Sequence, residues 1–171
     1  MLKAAGAFVV LSGCGGLVYA WMQQQLERQK TLRELLHFFM QAGYAMQSRK
    51  MQLLPFFITY QTSHPVLKEV MQQMAEQIQE RGYPNGEALW KAVWMKHQRE
   101  LDLSGEEWML LMESGGVFFG MHLEENISHG MIVQKQIQDF LEQEIHDFKE
   151  KQKIAVPLGL FCGLFLILVL I

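Results

Sequence analysis

Residues 4–22 read AAGAFVVLSGCGGLVYAWM and residues 154–171 read IAVPLGLFCGLFLILVLI, two stretches without a charged side chain at opposite ends of a chain of 171 residues. Each approaches the ~20 residues with which an α-helix crosses ~30 Å of hydrocarbon. All 18 acidic residues, and every basic residue except Lys3, lie between them. The pattern predicts a membrane hairpin: a transmembrane helix over 1–22, an aqueous domain over 23–153 and a second transmembrane helix over 154–171.

The middle segment is long enough for one hydrophobic core and too short for two. Its charges are mixed, the formal net charge of the chain is only -3, and no basic stripe or run of like charge occurs. Nucleic-acid binding is therefore not expected. Prolines stand only at Pro55, Pro65, Pro84 and Pro157, and the domain is rich in Met, Gln, Leu and Glu, residues that favour helices over strands. The expectation is an all-α fold, a bundle of about five to six helices between the two membrane helices. The only cysteines, Cys14 and Cys162, sit inside the apolar segments, so the domain has no disulfide framework and suits the cytosol.

Arg28, Lys30 and Arg33 follow the first apolar stretch, and Lys149, Lys151 and Lys153 precede the second; Lys3 and the terminal amine stand on the far side. Basic residues near span ends are retained in the cytoplasm, which places the domain inside and both termini outside. A competing signal is Leu11-Ser12-Gly13-Cys14, which fits a lipoprotein cleavage site behind Lys3 and a short apolar region. That alternative is an exported binding module anchored through Cys14. Against it, the apolar run continues through Leu17 to Met22, where a lipidated terminus normally turns polar.

Within the spans, small residues recur every four positions: Ser12, Gly16 and Ala20 on the first, Ala155, Gly159 and Gly163 on the second. Small residues allow helix backbones to approach closely in lipid. Counting inward from the domain, Ala20 lies at the depth of Ala155, Gly16 at that of Gly159 and Ser12 at that of Gly163, which predicts antiparallel packing of these faces. Cys14 points away from this face, so no link to Cys162 is expected.

Apolar positions Leu32, Leu35, Leu36, Phe39, Met40, Gly43 and Met46 recur at helical spacing with no breaker after Gln23, so the first span continues into the domain. Pro55 precedes Phe56, Phe57, Ile58 and Tyr60, a short buried aromatic helix. Ser63-His64-Pro65 opens a helix with Leu67, Val70, Met71, Met74 and Ile78 on one stripe and Gly82 as its stop. Tyr83-Pro84-Asn85-Gly86 is a turn, and a helix over about Glu87 to Arg99 turns Leu89, Trp90, Val93 and Trp94 inward. Ser104 and Glu107 make a capping box ahead of Trp108, Leu111 and Met112, and Gly115-Gly116 ends or kinks that helix. The longest element runs from Glu124 through Lys153 into the second span. Its seam passes through Ile127, Met131, Gln134, Gln138, Leu141, Ile145, Phe148 and Gln152, packed on the first helix, with Pro157 bending its entry into the membrane.

Chemistry is hard to find. The six histidines form no H-E-x-x-H pattern, and Glu125 with His129 and Glu142 with His146 are i, i+4 pairs of a kind common on helix surfaces. There is no soluble cysteine, no G-x-S-x-G elbow and no glycine-rich loop with a lysine after a strand. No catalytic, cofactor or metal site is expected. The methionine and aromatic stripes read as core, since helical spacing alone explains them.

The two ends and the last helix together resemble the stage III sporulation protein AB family of endospore-forming Firmicutes. The likeness rests on Met1-Leu2-Lys3 with Gly6-Ala7, on Arg28, Lys30, Leu32, Arg33 and Leu35, and on Gly115, His129, Lys151, Lys153, Leu158-Gly159 and Gly163 before the closing Leu and Ile run. Where the family carries an acidic pair in its first helix, Gly43 and Ala45 stand here, and Pro157 is an addition. The resemblance implies a multi-pass protein of the mother-cell membrane around the forespore, part of a transenvelope channel. It further implies a non-enzymatic platform, similar to that of type II secretion and type IV pilus machines, which couples a cytoplasmic ATPase, stage III sporulation protein AA, to ring components and other members of the complex. Assembly with further copies of the chain stays open. The expected ATPase contact is the turn from Gly115 to His129, with Gly120, His122 and Glu124 within it.

Overall fold

In the computed structural model, residues 2–47, 53–80, 84–119 and 123–170 are described. They contain seven helices and, among the described residues, no strand: α1 (Leu2–Gln47), α2 (Leu53–Thr59), α3 (Pro65–Glu80), α4 (Gly86–Lys96), α5 (Gly105–Glu113), α6 (Gly116–Phe119) and α7 (Leu123–Leu170). The expected all-α class is what the chain adopts. It divides into two compact units, Lys30–Leu141 and the pair Met1–Gln29 with Glu142–Ile171, and α1 and α7 supply residues to both.

In Lys30–Leu141 the core is built on aromatic rings brought together from four helices. Phe38 of α1 lies 5.2 Å from Tyr60, 5.4 Å from Phe118 and 6.2 Å from Trp90 between ring centroids, and Trp90 stacks on Phe118 at 5.0 Å. Phe38, Trp90 and Trp94 are fully buried, and each such side chain contributes about 1.5–3 kcal/mol or more through lost apolar exposure. The four residues of α6 act as a plug: Val117 and Phe118 are buried while the segment turns the chain from α5 towards α7.

The interior stripe of α3 is Leu67, Val70, Met71 and Met74, and that of α4 is Leu89, Trp90, Val93 and Trp94, as their spacing predicts. In and just after α2, Phe57 and Tyr60 are buried but Ile58 is exposed. Local polar chemistry sets the helix ends. Pro65 starts α3, where its missing amide costs nothing, and His64 accepts at Nδ1 from the Leu67 amide at 3.5 Å, with Nε2 3.1 Å from the Thr31 hydroxyl. The Glu34 carboxylate accepts from Thr62 at 2.6 Å and Ser63 at 3.2 Å, fastening the α2–α3 connection to α1. Asn85 caps α4 through a 2.7 Å bond from the Ala88 amide. The Ser104–Glu107 capping box is formed in both directions.

Two elements differ from their sequence expectation. α4 ends at Lys96 rather than near Arg99, because the chain turns through 97–102 with Asp102 at φ 49°, a left-handed conformation that aspartate tolerates better than most residues. Up to Leu141, the buried positions of α7 are Gly130, Val133, Ile137 and Leu141 itself, whereas Met131 and Gln138 of the expected seam are exposed. The stripe is displaced because α7 also packs on the α6 plug: a Cβ on Gly130 would lie 3.4 Å from Val117. The glutamine that does face α1 is Gln134, whose side-chain amide donates to the Phe39 carbonyl at 2.8 Å. It fits because Gly43 has no side chain, a Cβ there falling 2.8 Å from Gln134 Nε2.

Candidate functional site

The unit formed by Met1–Gln29 and Glu142–Ile171 is a pair of antiparallel helices. Trp21 stacks on Phe148 with centroids 5.9 Å apart and an interplanar angle of 28°, and Arg28 Nε lies 3.5 Å from Glu144 Oε2 with both side chains mostly buried. Further along, a Cβ on Gly159 would fall 2.8 Å from Val18 Cγ2. As α1 advances from Val18 through Trp21 to Arg28, its partners on α7 run backwards from Gly159 through Phe148 to Glu144.

Small residues enter this pair from one side only. Gly163 is buried and Ala155 and Gly159 are half-buried, on the face of α7 that meets α1. Ser12, Gly16 and Ala20 are exposed, and a Cβ on Gly16 meets nothing within 4 Å. The residue seated on Gly159 is thus Val18, half a helical turn around α1 from Gly16, and the contact is a branched side chain in a glycine notch rather than glycine against glycine. Cys162 is a free, exposed thiol, and the side chain of Cys14 lies outside the described residues.

Among the described residues one helix is long and apolar enough to cross a membrane, within Glu125–Leu168, and only 6 % of its apolar window is buried inside the molecule. A core helix of a soluble protein would be mostly buried. The backbone of the first apolar stretch is helical within α1 and passes through Cys14 without a break. α7 likewise runs through Pro157 as one helix.

The second candidate region is the glycine turn between α5 and α7. Gly115 is buried, and a Cβ there would lie 3.0 Å from Cδ1 and Cγ of Trp90. The indole of that same Trp90 donates to the Leu111 carbonyl at 2.7 Å, and the Ser114 hydroxyl donates to the same oxygen at 2.7 Å, closing the end of α5. Gly116 faces the half-buried ring of His129, 3.7 Å from its absent Cβ, and Gly86 lets Phe119 pack over the start of α4. Gly115, Gly116 and Gly86 are therefore points of close approach, and of the expected contact residues whose side chains are described, His129 reaches the surface. Gly120 and His122 lie outside the described residues; Glu124 is in the first turn of α7, its side chain likewise outside them.

Sequence reasoning missed an open groove of about 320 Å³ on Lys30–Leu141, of mixed polarity, where Met40, Tyr44, Ile127 and Met131 stand beside Gln47 and Gln134. Tyr44 is 70 % exposed and Met131 53 % exposed, although Met131 falls in the seam that helical spacing assigns to packing on the first helix. The surface histidine pairing also differs in detail: His146 Nε2 lies 3.5 Å from Glu150, an exposed i, i+4 contact. One titrating group is displaced, since burial and then the nearby Glu34 push the Tyr60 phenol above its ordinary value.

No curated protein and no solved structure matches the chain. A family model does: that of stage III sporulation protein AB matches residues 3–171. The chain belongs to the stage III sporulation protein AB family.

Proposed function

We propose that the protein is a non-enzymatic platform of the sporulation channel between mother cell and forespore, held in the mother-cell membrane by two antiparallel spans. Its helical domain faces the cytoplasm and couples stage III sporulation protein AA, a secretion-type ATPase, to ring components in the membrane. The observation that carries this reading is α7 itself. One unbroken helix begins at Leu123, beside the glycine turn, and ends in the apolar segment whose surface the molecule leaves almost wholly uncovered. A partner bound at the start of such a helix holds the same element that enters the apolar segment, with no loop between the two in sequence.

The turn from Gly115 to His129 is the proposed ATPase contact, and the neighbouring groove at Tyr44 and Met131 supplies apolar surface of the kind that protein partners cover. Mixed surface charge and the absence of a basic run support a protein partner over a nucleic acid. The test is co-purification of the ATPase with the full chain from detergent-solubilised membranes. Substituting His122 and Glu124 together by alanine is expected to cut recovery of the ATPase severely while the variant still inserts and melts normally. Undiminished recovery would remove the turn from the contact; no recovery with the unaltered chain would remove the coupling role.

A further inference from the structure

We propose that Glu69, His97 and Glu100 form a site for a divalent transition-metal ion that ties α3 to the turn after α4. One ligand atom from each residue lies within 4.8 Å of the other two. Two ligands bonded at about 2.1 Å and roughly 100° apart sit about 3.2 Å from each other. His97 Nδ1 and Glu100 Oε1 already stand 3.2 Å apart. Glu69 and Glu100 are exposed, so either carboxylate can swing inward without disturbing packing.

A trio of this kind on a surface would often be a solvated ion cluster; His97 is what sets it apart. It is 6 % exposed, and its Nε2 is buried without a hydrogen-bond partner. Leaving a buried ring nitrogen unmatched is costly. With an ion on Nδ1, the imidazole proton resides on Nε2, the buried nitrogen, and Nδ1 keeps its lone pair for the ion.

The backbone holds the ligands in place beforehand. The His97 amide bonds the Trp94 carbonyl and the Glu100 amide bonds the His97 carbonyl, each at 3.0 Å, so His97 and Glu100 keep their spacing through a closed turn. One imidazole nitrogen with two carboxylate oxygens suits Zn²⁺, Co²⁺ or Mn²⁺ better than the thiolate-seeking or all-oxygen ions.

The full chain, purified in detergent and stripped with a chelator, can be titrated with Zn²⁺ by calorimetry and with Co²⁺ by visible absorption at neutral pH. One equivalent of Zn²⁺ is expected to bind with micromolar affinity or better and raise the melting temperature, and Co²⁺ is expected to show d–d bands without the thiolate charge-transfer absorption that Cys14 or Cys162 would give. Glu69→Gln and Glu100→Gln should each weaken binding by about tenfold or more and shrink the rise in melting temperature that Zn²⁺ gives. Affinity no tighter than millimolar in the unaltered chain overturns the proposal, and so does tight binding that survives in the double variant.

Discussion

A methyl group at Gly115 would sit 3.0 Å from Cγ of Trp90, an indole fixed on its other side by its bond to the Leu111 carbonyl. Gly115→Ala should therefore destabilise the domain by about 1–3 kcal/mol, the usual range for overpacking a filled core. Gly105→Ala is the matched control: a Cβ there meets nothing within 4 Å at the first position of α5, so the change should be neutral or stabilising by up to about 1 kcal/mol. Urea unfolding of the two variants in one detergent gives the comparison directly. Tyr60 makes a pH prediction. Its phenol is raised above the usual value, so the folded state keeps its proton where the unfolded chain gives it up. The contribution is intact below about pH 10 and is lost as pH rises further, and Tyr60→Phe should flatten that alkaline decline in a melting series. At this scale the sequence was informative where chemistry is local. Ser104 and Glu107 announce their capping box by a three-residue spacing. The reason for Gly115 could not be read in the same way, because the ring that crowds it lies 25 positions earlier in the chain.

Among elements, α3 and α4 follow the helical stripes of their sequence because each buries one face against the same core. α7 departs from its stripe because two neighbours compete for it: α1, met through Gln134, and the α6 plug, met through Gly130. No periodicity computed along one helix contains that second neighbour. The same limit explains the apolar pair. Four-residue spacing of small residues marks both helices alike, but only the α7 set, Ala155, Gly159 and Gly163, turns inward, with Val18 on α1 as its counterpart. Register there is fixed by the Trp21–Phe148 stack and the Arg28–Glu144 ion pair, cross-helix contacts that a pattern along one helix cannot pair up. Gly159→Ile should then push Val18 away and cost roughly 1–3 kcal/mol of helix pairing, while Gly16→Ile leaves the monomer unaffected. Thermal unfolding in micelles distinguishes the two, and equal losses would contradict the observed register.

For the whole molecule, the absence of charge at both ends and the helical spacing between them were enough to give the all-α class, whereas the family came from a resemblance at particular residues, among them Arg28, Lys30, Lys151 and Gly163, which the family match over residues 3–171 bears out. Hydropathy draws its boundaries at 22 and 153, whereas packing divides the chain after Gln29 and Leu141. The difference is physical: apolar length measures what lipid can cover, while the paired helices continue to contact each other through Arg28 and Glu144, beyond the apolar stretches. The turn from Gly115 to His129 is marked by its glycines in the sequence, whereas the groove at Tyr44 and Met131 emerges only from the fold, where residues far apart in the chain meet. The platform reading requires both ends to sit in one membrane with residues 23–153 on the cytoplasmic side. Protease added to intact protoplasts, and separately to inverted membrane vesicles, measures this directly. The account predicts that the domain survives in protoplasts and is digested in the vesicles; digestion from outside intact protoplasts would contradict it.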